Sequence, residues 1–279
     1  MLILSVFLRH ADNQIEGNNR YTGMISKANL NMNTLLVSGS AFPTIGKESY
    51  AEAASGKIQL EPDVTTFFLE NDLRLGKKMT LHFPKTTDAA KILPRKVAKS
   101  IPFSSSKLPQ ILSQFAVKPS STEAEVIKQT IEDCEAPSIK GEDKYCATSL
   151  ESLVDFTVSK LGKYVQVYNT EVEKGNKQEY EIGKGAVQRI GDRSVVCHKQ
   201  KYMYAVFYCH EIHSTRAYLV PLVGADGTKA EAVAVCHTDT RTWNIKHIAF
   251  QVLKAKPGTV PICHFLPSGN LVWVPIANK

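Results

Sequence analysis

Cys197-His198, Cys209-His210, Cys236-His237 and Cys263-His264 decide how this chain is read. Ten residues separate the first dipeptide from the second, and 25 separate each later one from its predecessor. The 279-residue chain holds six cysteines and eight histidines, and four of each are spent here. Each dipeptide sits in a β-like run: Ser194-Val195-Val196, Tyr204 to Tyr208, Ala232 to Val235, and Val260-Pro261-Ile262. Successive side chains of a strand point to opposite faces. The simplest arrangement therefore puts the four sulfurs on one side and the four imidazoles on the other. Sulfurs that face a core can pair as disulfides. Imidazoles that converge on the other side make a nitrogen-rich site suited to copper or zinc. A mixed Cys/His zinc module fits less well, because the close C-x2-4-C and H-x3-5-H spacings are missing.

The rest of the chain supplies a frame for these runs. Tyr164 to Tyr168 alternates cleanly, Glu179 to Ile182 and Ala186 to Ile190 continue the pattern, and Leu271 to Val274 closes it. Turns fall at Gly224-Ala225-Asp226-Gly227 and Lys256-Pro257-Gly258. Short strands spaced by Gly/Pro turns argue for an antiparallel β-rich domain, sandwich or barrel-like. Two further strands, Thr65 to Leu69 and Met79 to Phe83, flank a turn at Leu75-Gly76-Lys77. His82, in the second of them, is an additional ligand candidate.

A helical section lies between. Leu108, Ile111, Leu112 and Phe115 fall at helical spacing, with Pro109 tolerable in a first turn. Thr122-Glu123-Ala124-Glu125 and Thr148-Ser149-Leu150-Glu151 have the form of capping boxes, each ahead of an apolar stripe. The class is α+β: a helical section, then the sheet domain carrying the four Cys-His dipeptides. Cys134 and Cys146 form a separate couple, expected to tie the end of one helix to the start of the next. Six cysteines make three disulfides natural in an oxidising compartment.

Composition bounds the function. Hydrophobic content of 43% is enough for a real core, and the net charge of +7 suits a polyanionic partner such as acidic polysaccharide. No aromatic-basic motif or finger spacing supports nucleic-acid binding. No apolar run is long enough to span a membrane. Residues 1–63 read as a poorly ordered leader rich in Asn, Ser and Gly, and the folded domain is expected over 64–279. Met1 to Leu8 is apolar but short and lacks a basic start, which makes it at most a remnant or atypical secretory signal. No G-x-S-x-G, H-E-x-x-H or phosphate-loop pattern occurs, and no catalytic residue is assigned.

The spacing Cys-His-x10-Cys-His-x25-Cys-His-x25-Cys-His resembles the signature of the plant BURP-domain family. Phe67-Phe68-Leu69, Asp72-Leu73, Gly76 to Met79, Cys146 to Ser152 and Trp273-Val274-Pro275 agree with it, so the resemblance runs from about Val64 to Ile276. It implies a protein of the secretory route, ending in apoplast, cell wall or vacuole. Dehydration-responsive and seed-abundant members are the relatives that this chain most resembles. It also implies copper held by His198, His210, His237 and His264. Other members are copper-dependent cyclases that oxidatively join a Trp or Tyr side chain to another atom of a core peptide. No core peptide is identified before Val64, where only Tyr21 and Tyr50 supply aromatic phenols. The expected partners are therefore cell-wall polysaccharide or a separate peptide substrate.

Overall fold

The computed structural model describes residues 64–84, 90–138 and 141–276. The reading of 1–63 as a leader lies outside the described residues. The chain runs β1 (Phe68–Leu69), β2 (Lys78–Leu81), α1 (Arg95–Ala98), α2 (Leu108–Gln114), α3 (Thr122–Glu135), β3 (Glu142–Ala147) and α4 (Leu150–Leu161). Then follow β4 (Val165–Tyr168), β5 (Glu171–Val172), β6 (Gln178–Ile182), β7 (Gln188–Gly191), β8 (Val195–Gln200), β9 (Val206–Ile212), β10 (Thr215–Gly224) and β11 (Lys229–His237). The last elements are α5 (Ile248–Leu253), β12 (Ile262–Phe265) and β13 (Leu271–Pro275). This is the expected α+β class, with four helices ahead of the main run of antiparallel strands, although β1 and β2 precede them and α5 comes late.

Two antiparallel sheets form. The larger has the order β1-β12-β11-β10-β6-β2, with β5 added to β11 and β7 to β10. β1 and β2 close its two ends, yet Thr65 N, just ahead of β1, donates to Thr80 O of β2 at 2.7 Å. The sheet thus curls toward itself, barrel-like, around Phe68, Met79, Leu81, Phe83, Tyr180 and Leu222. Ala230, Ala232 and Ala234 are the small residues of β11 that face this interior. The smaller sheet has the order β3-β9-β8-β13-β4. Its Val196, Val272 and Val274 pack on Ala217, Leu219, Val233 and Val235 of the larger sheet, which makes a sandwich core. On its outer face Leu153 and Leu161 of α4 cover Val195, Cys197, Phe207, Cys209 and Trp273. Helices α2 and α3 bury Ile111, Leu112, Ile127 and Ile131 against Tyr202, Tyr204 and Val206.

Local signals held with small shifts of register. Ser121, not Thr122, caps α3: its Oγ accepts from Ala124 N at 3.2 Å. The α4 cap is Ser149 with Ser152 as its reciprocal partner, each side chain accepting from the other's backbone N–H at 3.1 Å. Glu151, the residue expected in that box, accepts from Arg95 N at 2.8 Å and anchors α1 instead.

Three strands were not anticipated, the two-residue β5 and the longer β3 and β10. β3 carries Cys146, so the Cys134–Cys146 disulfide ties α3 to a strand and not to the next helix. The ten-residue β10 hides behind Pro221, which breaks its sequence pattern. Proline has no N–H to give a ladder. It sits where β10 changes neighbours, between Leu219, paired with Gln188 of β7, and Leu222, paired with Ile182 of β6.

Candidate metal centre

The dipeptides lie on β8, β9, β11 and β12, and strand alternation separates sulfur from imidazole as expected. Cys197 stands directly opposite Cys209, and Cys236 directly opposite Cys263. Both pairs are disulfides, with Cα atoms 3.9 and 4.0 Å apart. The first faces α4 and the second faces the interior of the curled sheet. With Cys134–Cys146, no described cysteine is free.

The same register fixes the histidines. Each follows its cysteine by one residue on antiparallel strands, so the two of a pair lie diagonal, not opposite. His198 faces Tyr208 and His210 faces Val196; His237 faces Ile262 and His264 faces Val235. Diagonal neighbours on one face are within reach of ring side chains. His198 Nε2 and His210 Nε2 meet at 3.1 Å, and His237 Nε2 and His264 Nε2 at 3.4 Å. One module is therefore built twice, once in each sheet: a cross-strand disulfide on one face and a diagonal imidazole pair on the other. His210 and His237, one from each pair, line a common cavity with Val196, Val235 and Thr215. Among the described residues no group of three or more His, Cys, Asp or Glu is drawn together, and the four histidines stand as two pairs that meet at this cavity. His82 follows β2 on the face opposite Leu81 and Phe83, and joins neither pair.

All four imidazoles are buried. Burial, reinforced by His210 and His237, holds the His198 pKa well below the usual histidine range. Burial also pushes His237 down to about 3, with His210 and His247 adding to it, and His264 down to about 4. Neutral imidazole is the form that binds a metal. The hydrogen bonds set which nitrogen is available. His210 Nδ1 lies 2.8 Å from Glu142 Oε1, and His264 Nδ1 lies 3.3 Å from the Phe265 carbonyl. Both oxygens accept, so each Nδ1 carries the proton and each Nε2 presents a lone pair to its partner ring. His237 Nδ1 is buried with no hydrogen-bond partner among the described residues. Two nitrogens bound tetrahedrally to one ion at 2.0–2.1 Å lie about 3.3 Å apart. The donor set and its spacing therefore fit a copper- or zinc-type cation at either pair.

Sequence reading missed three residues here. Glu142 belongs to the unanticipated β3; its side chain is 7% exposed and also accepts from Tyr208 OH at 3.1 Å. Trp243 stands with its ring 5.1 Å from His237 and 4.7 Å from His247. His247 caps α5 by accepting from Ala249 N at Nδ1, so when neutral its Nε2 carries the proton and it is a donor rather than a ligand. Helix α5 is only six residues, Ile248–Leu253, too short to show a period in the sequence.

A β sandwich stapled by disulfides, with two pairs of buried imidazoles between its sheets, defines the class. The chain belongs to the BURP-domain family, whose model matches residues 66–275. It is 53% identical over 227 residues to BURP domain-containing protein 3 of Oryza sativa subsp. japonica, covering 79% of this chain and 53% of that protein. It is 53% identical over 228 residues to BURP domain protein RD22 of Arabidopsis thaliana, covering 79% of this chain and 58% of that one. Protein RAFTIN 1B of Triticum aestivum is 40% identical over 226 residues, 79% of this chain and 62% of its own. The chain thus spans just over half the length of the first two relatives.

Proposed function

We propose that this chain is a secreted BURP protein that binds copper through its Cys-His modules and serves a stress, seed or cell-wall role. The observation that carries the metal reading is the meeting of two buried imidazole nitrogens at 3.1 Å in one sheet and at 3.4 Å in the other. Secretion is supported by the disulfides, which persist in oxidising compartments. The stress or seed role rests on the resemblance to dehydration-responsive and seed-abundant members. The net charge of +7 suits an acidic wall polysaccharide as partner.

A second reading is a copper-dependent oxidative peptide cyclase. It is favoured by Trp243, which walls the His237–His264 pair with an indole and so makes an aromatic bay beside it. Copper there would accept electrons from an aromatic side chain, with dioxygen as terminal oxidant. The chain's own part would be to hold the ring and exclude water. The intact mass of the reduced and alkylated protein after aerobic copper loading, against a chelator-treated control, separates the two. Bound copper with an unchanged mass, for the chain and for an added Tyr- or Trp-containing peptide alike, supports the binding protein. Loss of two hydrogens only in the copper sample supports the oxidative reading. A protein that takes up no copper at neutral pH overturns both.

A further inference from the structure

We infer that Glu142 is the positioning residue of the His198–His210 pair: it fixes His210 as the Nδ1–H form and supplies the negative charge that a cation between the two rings requires. The inference rests on the metal reading above but goes beyond the ligands themselves.

Three adjacent strands place the groups in line. Glu142 on β3 is the diagonal neighbour of His210 on β9, which is the diagonal neighbour of His198 on β8. Glu142 Oε1 lies 2.8 Å from His210 Nδ1, and His210 Nε2 lies 3.1 Å from His198 Nε2. A carboxylate is an acceptor, so the contact holds the His210 proton on Nδ1 and turns the Nε2 lone pair toward His198. Carboxylates behind ligating histidines orient the ring and raise its basicity, and their loss costs 10- to 100-fold in metal affinity.

The Glu142 carboxylate is buried among polar groups. Its side chain is 7% exposed, and burying a carboxylate is expensive without compensation. Tyr208 OH donates to it at 3.1 Å, a neutral contact. Lys144, two residues along the same strand, gives its Nζ to the Asp133 carbonyl at 2.7 Å, lies over the Tyr208 ring and also acts electrostatically on Glu142. A cation at the His198–His210 pair would meet the charge of Glu142 through one imidazole. At the other pair the group behind the ring is a neutral peptide carbonyl: His264 Nδ1 meets that of Phe265. The two modules share a backbone plan and differ in charge, so the carboxylate-backed pair is the tighter site for a divalent cation.

The test uses the full chain with its three disulfides formed, verified by intact mass and near-UV circular dichroism. Copper(II) affinity is measured by chelator competition in the wild type, Glu142→Gln and His210→Gln. Nitrogen-15 NMR of the metal-free protein reads the His210 protonation site in the wild type and Glu142→Ala. The expected result has three parts. Glu142→Gln weakens one copper-binding step about 10- to 100-fold. That step is the one His210→Gln abolishes, and the other step does not move. Glu142→Ala shifts the His210 proton away from Nδ1. Unchanged copper binding in Glu142→Gln, or an unchanged His210 protonation site in Glu142→Ala, overturns the inference while leaving the metal reading intact. If the wild type takes up no copper, the metal reading fails instead, and the His210 protonation site alone decides whether Glu142 positions the ring. Should Glu142→Ala fail to form its disulfides, Tyr208→Phe, which removes one donor to the carboxylate, is expected to weaken the same step by a smaller factor; no effect there overturns the inference.

Discussion

Cys197 and Cys209 face each other across β8 and β9 with their Cα atoms 3.9 Å apart, and this places His198 and His210 one step along on the opposite face. The disulfide and the imidazole pair are two consequences of one register. A slip of one residue would turn every side chain to the other face. The bond thus pins the register that the imidazoles need.

Removing it should separate its two effects. The Cys197→Ala/Cys209→Ala variant loses a crosslink that closes a 12-residue separation. Loop-closure entropy puts the cost at about 3 kcal/mol. Urea denaturation should show a lower midpoint of about that free energy, and copper binding at His198 and His210 should weaken with it. The Cys236→Ala/Cys263→Ala variant should weaken the other site and spare this one. Equal loss at both sites in either variant would contradict independent modules.

Acid should destabilise the metal-free protein early. His237 and His264 are held neutral by burial, at about 3 and about 4, whereas the unfolded chain takes up protons near the ordinary value of 6.5. Their folded pKa values are depressed, so between about pH 6.5 and 4 the unfolded state binds more protons and stability falls as pH falls. Each imidazole costs at most about 1.4 kcal/mol per pH unit in that window. Urea midpoints measured at pH 7 and pH 5 should differ, and His237→Gln/His264→Gln should flatten the difference. Copper affinity of the folded protein at this pair should hold across that window and fall only as the pH nears about 4, where protons begin to compete for the same nitrogens.

Much of this was legible in the sequence, for reasons that can be named. Alternation in the four Cys-His runs was enough to separate sulfurs from imidazoles, because a strand's period of two leaves no other choice. Ser121 and Ser149 as caps, each one residue from an equally good Thr122 or Thr148, could not be told apart by composition. β10 was hidden because Pro221 in a central strand argues against one, and only the change of neighbour from β7 to β6 makes it tolerable. Glu142 carried no signal of its own. It matters through a diagonal contact with a residue 68 positions away, which tertiary pairing alone creates.

Trp243 should report on the second site. Its ring lies 5.1 Å from His237, while Trp273 is buried on the far side of the smaller sheet under α4. Copper(II) quenches an indole at contact range, so filling the His237–His264 pair should quench Trp243 and leave Trp273 emission. Fluorescence of Trp273→Phe should fall sharply with copper, and that of Trp243→Phe should change little. Equal quenching in both would place the copper elsewhere.

Stability and binding should also come apart at Ser149. This residue is buried, and it exchanges reciprocal hydrogen bonds with Ser152 that satisfy the first turn of α4. Ser149→Ala removes the acceptor for Ser152 N and should cost about 1 kcal/mol, read as a lower denaturation midpoint. Helix α4 covers the sulfur face of the smaller sheet, and the imidazoles occupy its other face. A loss of stability from α4 therefore reaches the site only through global unfolding, and copper affinity measured well below the melting range should equal that of the wild type. A copper step weakened by Ser149→Ala in a fully folded protein would show that the helix holds the β8–β9 register, and that the disulfide does not hold it alone.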